Sequence, residues 1–176
     1  INLIFPQIKN ISLFNKMNTF AKKNFSDVDF IFLLSLMIID GTDNVDYFIY
    51  KFNISKKDKK RLLFLNNFFS QKITQKTFLK KNLNKIFYFN GREILNDVIN
   101  FKIFKSKTVD PQLLQLIVDF KNKDVPIMPF KANIIMERYN IPEGKELGNK
   151  LKIIEEVWAN NDFQISESEV QEIINN

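Results

Sequence analysis

Apolar residues recur every three or four positions along almost the whole chain, and that period limits the fold more than any other property of the sequence. Ile11, Phe14, Met17 and Phe20 predict one helix over 11–23. Ser26-Asp27-Val28-Asp29 offers an N-cap and an acidic first turn for a helix running to about 40, ended by Gly41. A short helix over 43–52 would place Val45, Phe48, Ile49 and Phe52 on one face. Ser55, with Asp58 three residues later, is a capping box for a helix over 56–71 whose apolar face is Leu62, Leu65, Phe68 and Phe69. The next helix, over 74–88, is expected to be buried through Phe78, Leu79, Leu83, Ile86 and Phe87, to break at Gly91 and to restart over 92–104. Asp110-Pro111 signals a start for 111–122, because Pro at the first helical position forfeits no hydrogen bond.

Val125-Pro126-Ile127-Met128-Pro129 reads as a linker. Beyond it come a short helix near 131–139, a turn at Ile141-Pro142-Glu143-Gly144, a long helix over 145–160 and a last one over 167–174. No fixed-period repeat is visible, and no strand pattern survives except a few residues near 127. The expected fold is all-α: an irregular bundle of about nine to ten helices in two lobes, with no catalytic β-sheet domain. A helical body over 1–124 would precede a helical tail over 125–176.

Composition narrows the chemistry. A chain of 176 residues is long enough to bury a real core. It has no Cys and no His, which excludes thiolate nucleophiles, Cys-ligated zinc, Ser-His-Asp catalysis and HExxH sites. With 4 Gly and 5 Pro it suits neither a turn-rich β-sandwich nor a Gly-rich phosphate loop. The longest apolar run, Phe30 to Ile39 interrupted by Ser35, falls short of the ~20 residues that span a bilayer, so no membrane is expected as a partner. The chain opens with Ile1 on an apolar stretch and shows no signal-peptide pattern; the expectation is a cytoplasmic fragment whose upstream sequence is missing.

Charge is uneven. Residues 51–107 hold 15 basic and 3 acidic groups, net +12, whereas 108–176 hold 7 and 12, net −5. A field of that size suits an acidic polymer such as nucleic acid. A lysine-rich solvated face is the other reading, since Ile, Lys, Asn and Phe make up half the chain, as an AT-rich genome would produce. Lys56, Lys57, Lys59, Lys60 and Arg61 crowd one helix start, where backbone N–H groups already favour phosphate. Lys76, Lys80, Lys81 and Lys85 form i, i+4 pairs on the next helix; like charges at that spacing disfavour a bare helix by a few tenths of a kcal/mol, and a bound phosphate chain would reverse this. Asp27 and Asp29 form a D-x-D, which on a strand can hold metal ions, but here they read as a helix first turn, as do Asp43 and Asp46. Glu155 and Glu156 lack a third partner for acid–base work, and Trp158 lies at helical spacing from Ile154 and Leu151, as a core residue would.

Pro129-Phe130-Lys131-Ala132, a short helix, Ile141-Pro142-Glu143-Gly144-Lys145-Glu146-Leu147-Gly148-Asn149-Lys150-Leu151 and then Glu155-Glu156-Val157-Trp158 resemble the C-terminal end of bacterial CCA tRNA nucleotidyltransferases and their poly(A) polymerase relatives. That family has Pro-apolar-x-Gly-x-Asp-Leu, then Gly-x-x-x-Gly-x-x-Leu, then a Trp-bearing helix. Leu3-Ile4-Phe5-Pro6-Gln7 resembles the segment that closes the family's neck, and Phe52-Asn53-Ile54-Ser55 followed by Arg61-Leu62 resembles a body helix start. Ala132 and Ile134 depart from the family's Gly and Asp. The family's catalytic head, with its Gly-rich strand and metal-binding D-x-D, and the neck's nucleotide-selecting Asp/Glu-Asp-x-x-Arg are missing.

The resemblance implies a helical body and tail that grip tRNA while a missing head adds nucleotides with Mg and CTP or ATP. On that reading this chain holds no catalytic residue, metal or cofactor of its own and is inactive alone. Its expected RNA contacts are Lys56, Lys57, Lys59, Lys60, Arg61, Lys76, Lys80, Lys81, Lys85, Gly144, Lys145 and Gly148. Gly144 and Gly148 either let backbone N–H groups approach a phosphate or serve only a turn and close helix packing. The alternative function is a helical protein-interaction module that docks an acidic partner.

Overall fold

The computed structural model describes Pro6 and residues 8–175. Leu3, Ile4, Phe5 and Gln7 of the neck-like segment lie outside the described residues. The described residues form ten α-helices and no strand. They divide into two compact units, one ending at Lys123 and one starting at Asp124.

In the first unit the helices are α1 (Ser12–Asn15), α2 (Thr19–Lys23), α3 (Phe30–Ile38), α4 (Asn44–Lys51), α5 (Lys56–Ser70), α6 (Lys80–Lys105) and α7 (Pro111–Lys121). One helix over 11–23 was expected, and Asn18 divides it. Its Oδ1 accepts from the Ala21 N–H at 2.9 Å, capping α2, while Nδ2 donates to the carbonyls of Ile103 at 2.7 Å and Ser106 at 2.9 Å. A single amide thus starts one helix and satisfies carbonyls at the end of another, groups that helix geometry leaves without partners.

Asp29, not Ser26, caps α3: its Oδ1 accepts from the Phe32 N–H at 2.9 Å, after a 3₁₀ turn over Phe25–Asp27. The helix expected over 74–88 begins later, at Lys80, behind a 3₁₀ turn over Gln75–Phe78 closed by Thr74 and Thr77. Leu79 sits at the junction and is exposed rather than buried. Gly91 interrupts α6 as expected, with φ 84° and ψ 171°, backbone that only glycine adopts readily. Asp110 and Pro111 start α7 as predicted, the Asp110 carboxylate accepting from the Gln112 N–H.

The core of this unit is one cluster that includes Phe32, Leu36, Leu62, Leu65, Phe87, Leu95, Ile99, Phe104 and Phe120. Phe32 meets Phe104 edge-on at 5.2 Å, and Phe87 meets Phe120 at 5.5 Å, in the geometry that aromatic quadrupoles favour.

The second unit holds α8 (Ala132–Tyr139), α9 (Lys145–Asn160) and α10 (Glu167–Asn175). Its core gathers Phe130, Ile135, Leu147, Ile154, Val170 and Ile174. Asn140 ends α8 in the left-handed conformation that commonly terminates helices. Trp158 is buried, with its ring edge-on to Phe163 at 4.8 Å. Among the described residues no helix is long and apolar enough to cross a membrane.

Candidate nucleic-acid interface

Ser55 fixes the start of α5. Its Oγ accepts from the Asp58 N–H at 3.1 Å and donates to Asp58 Oδ2 at 2.7 Å. The first turn then fans its cations out at about 100° per residue, so they cannot all face one way.

Arg61 turns inward, which corrects its expected place among the RNA contacts: its side chain is only 4% exposed. Nε and Nη2 form a fork on Asp97 at 2.8 and 3.0 Å, Nη2 also reaches Asp29 Oδ2 at 2.7 Å, and Nη1 lies 3.2 Å from Glu93. Three carboxylates therefore surround one guanidinium. Burial pushes the Asp97 carboxyl up to about 6, and the charges of Asp29 and Glu93 add to this against the pull of Arg61. Burial also acts to raise Asp29, but the Arg61 guanidinium and the Phe32 N–H outweigh it and hold that carboxyl below its ordinary range. Lys57 pairs with Glu93 at 2.8 Å on the exposed edge of the same network. Negative charge from within the protein thus offsets part of this cationic helix start.

The D-x-D belongs to this network as well. Asp27, Asp29, Glu93 and Asp97 line a small depression with Asn96 and Asn100. Asp29 is occupied by the α3 cap and by Arg61, so the two aspartates do not form a free pair of metal ligands. Among the described residues no group of three or more carboxylates is placed to hold a metal ion.

Lys56, Lys59 and Lys60 point the other way. They line an open hollow with Leu63, Phe64 and Asn67, all on the outward stripe of α5. Lys59 also lines a second hollow, with Tyr50, Lys51, Phe52 and Ile54 at the end of α4. A third hollow is formed by Phe68, Thr74, Lys76, Asn82 and Lys85. It adjoins the first, because the Phe64 and Phe68 rings stack at 6.1 Å and 19°. From Lys56 to Phe68 the helix rises about 18 Å. No Asp or Glu lines any of the three hollows. The interleaved aromatics were a signal the sequence carried: Phe64 and Phe68 flank the lysines at i+4 and i+8 from Lys60.

The remaining predicted lysines are dispersed. Lys76 lies in the 3₁₀ turn before α6, so it makes no helical i, i+4 pair with Lys80. Lys80 Nζ pairs instead with Asp119 of α7 at 3.2 Å. Lys81 is exposed on α6. Two further cations are tied to carbonyls: Arg92 to Phe120 and Lys123, and Lys105 to Ile39.

Gly144, Lys145 and Gly148 belong to the second unit and are exposed at the start of α9. The backbone at Gly144 is extended, and a Cβ on either glycine would meet open space. Close helix packing is therefore not what Gly148 serves. Glu146 shares this first turn with Lys145, so the local charge is mixed.

No protein-family model matches the chain, and no curated protein matches it.

Proposed function

We propose that the chain is a non-catalytic, cytoplasmic tRNA-binding portion of a tRNA 3′-terminal nucleotidyltransferase of the CCA-adding and poly(A) polymerase type. The observation that carries the binding part of this reading is the acid-free strip along α5, where Lys51, Lys56, Lys59, Lys60, Lys76 and Lys85 border three adjoining hollows. The tail motifs carry the family part. A-form RNA offers phosphates and 2′-hydroxyls rather than readable base edges, so a row of lysines grips it without regard to sequence. Such grip suits an enzyme that must accept every tRNA. Nucleotide addition itself, with Mg and CTP or ATP, would belong to a head outside this chain.

The contact set is revised by the geometry. Lys56, Lys59 and Lys60 make no ion pair among the described residues and stand on one stripe, so they are the primary phosphate ligands. Arg61 supports the helix that presents them.

Binding of a tRNA transcript across a salt series tests this. Replacing Lys56, Lys59 and Lys60 with Gln should make the slope of log K against log salt shallower by about 2 to 3. An unchanged slope would remove the strip from the interface. Tighter binding of an acidic helical peptide than of tRNA would replace this reading with the alternative, a module that docks an acidic protein.

A further inference from the structure

Lysines account for affinity toward any polyanion, but not for the aromatic ring set beside them. Tyr50 is 90% exposed in the last turn of α4. The inward face of α4 is already filled by Val45 and Phe48, so Tyr50 contributes nothing to the core. Tyr50 lines the same hollow as Lys51 and Lys59, with Phe52 beneath the Lys51 ammonium at 5.5 Å. Tyr47, one turn earlier, is also exposed.

We infer that this hollow is a site for an unpaired nucleotide, whose base stacks on Tyr50 while its flanking phosphates meet Lys51 and Lys59. The inference rests on the RNA-binding reading above and adds the kind of RNA feature bound at one end of the strip. A base inside a duplex has both faces covered by its neighbours and cannot reach a protein ring; a base in a loop or a single-stranded end can. Every base has a π-face, so the contact selects unpaired structure without selecting sequence. The charges around the ring favour one side for the sugar-phosphate backbone. Asp46 stands four residues before Tyr50 on α4 and repels phosphate on that side, whereas Lys51 and Lys59 attract it on the other.

The test compares the 176-residue chain on a blunt RNA duplex and on the same duplex with a single-stranded tail, at one salt concentration. Tyr50→Ala should weaken binding of the tailed RNA about five- to hundredfold and leave the blunt duplex unchanged. Tyr50→Phe should retain tailed-RNA binding, because the ring remains. Equal loss on both RNAs, no loss on either, or no preference of the unaltered protein for the tailed RNA would overturn the stacking site. Binding of both RNAs that falls with Lys56, Lys59 and Lys60 replaced by Gln but ignores Tyr50→Ala would retain the RNA reading and reject this inference. No binding of either RNA by the unaltered protein would reject both. Circular dichroism confirms that the Tyr50 variants, altered only at an exposed position, stay folded.

Discussion

The unit that ends at Lys123 carries 21 Lys and Arg against 10 Asp and Glu, net +11, while the unit from Asp124 carries 5 against 10, net −5. Nineteen of the 23 lysines lie in the first, and eight of the nine glutamates in the second. A nucleotide bias acts on a whole gene. It explains why Ile, Asn and Lys abound and Ala is scarce, but it does not place eight of the nine glutamates in the unit that holds 53 of the 176 residues. The solvated-face account of the lysines leaves this segregation of acid unexplained. The single glutamate of the first unit, Glu93, is held against Arg61 and Lys57 and lines none of the three hollows of the strip.

Four substitutions would break or sharpen that contrast, and one probe separates the units. Trp158 is the sole tryptophan and lies in the second unit, so its fluorescence reports that unit while far-UV circular dichroism reports both. The largest effect is expected from Arg61→Met, which leaves Asp97 buried without its cation and should cost about 3–5 kcal/mol in urea unfolding. The dichroism midpoint should fall and the Trp158 midpoint should hold. A common shift of both would show that the units unfold as one.

Next is the pH dependence of Asp97. Its carboxyl sits near 6 in the folded protein against 3.8 as the ordinary value, so the native state holds this proton more tightly. The contribution is complete below about pH 4 and is lost as pH rises through about 6, a change of up to about 3 kcal/mol. Unfolding measured from pH 4 to 7 should therefore fall more steeply for the unaltered protein than for Asp97→Asn. Parallel curves would mean that another group titrates. Gly91→Ala should cost about 1–3 kcal/mol through backbone strain alone, because a Cβ there meets no neighbour. The smallest change is a gain. Gly148→Ala should stabilise the second unit by about 0.5–1 kcal/mol, read at Trp158. If tRNA binding weakened at the same time, the bare backbone at Gly148 would be serving a ligand.

Most helices could be read from the sequence because period and cap agreed. Ser55 starts α5, Asp110-Pro111 starts α7 and Gly91 breaks α6, each through chemistry confined to a few neighbouring residues. The misses came from contacts that no local window contains. Asn18 divides the first helix because of carbonyls 85 and 88 residues away. Arg61 adjoins the surface lysines in sequence, and a local window places it with them. Two signals pointed inward. It stands at i, i+4 and i+7 with Leu65 and Phe68, at the border of the apolar face, and Glu93 and Asp97 place two acids one turn apart, which is unfavourable unless a cation lies between them. The strip itself was half legible: the lysines were evident, but their partition among three hollows depends on how α4, the 3₁₀ turn and α6 meet α5.

Before Gly91, α6 bears Lys80, Lys81 and Lys85; after it come Glu93 and Asp97. A straight rod through position 91 would carry those two acids round to another azimuth and leave Asp29 as the remaining counterion of the buried Arg61 guanidinium. The corner made by one residue without a side chain thus decides which electrical charges this protein keeps to itself and which it turns toward the outside world.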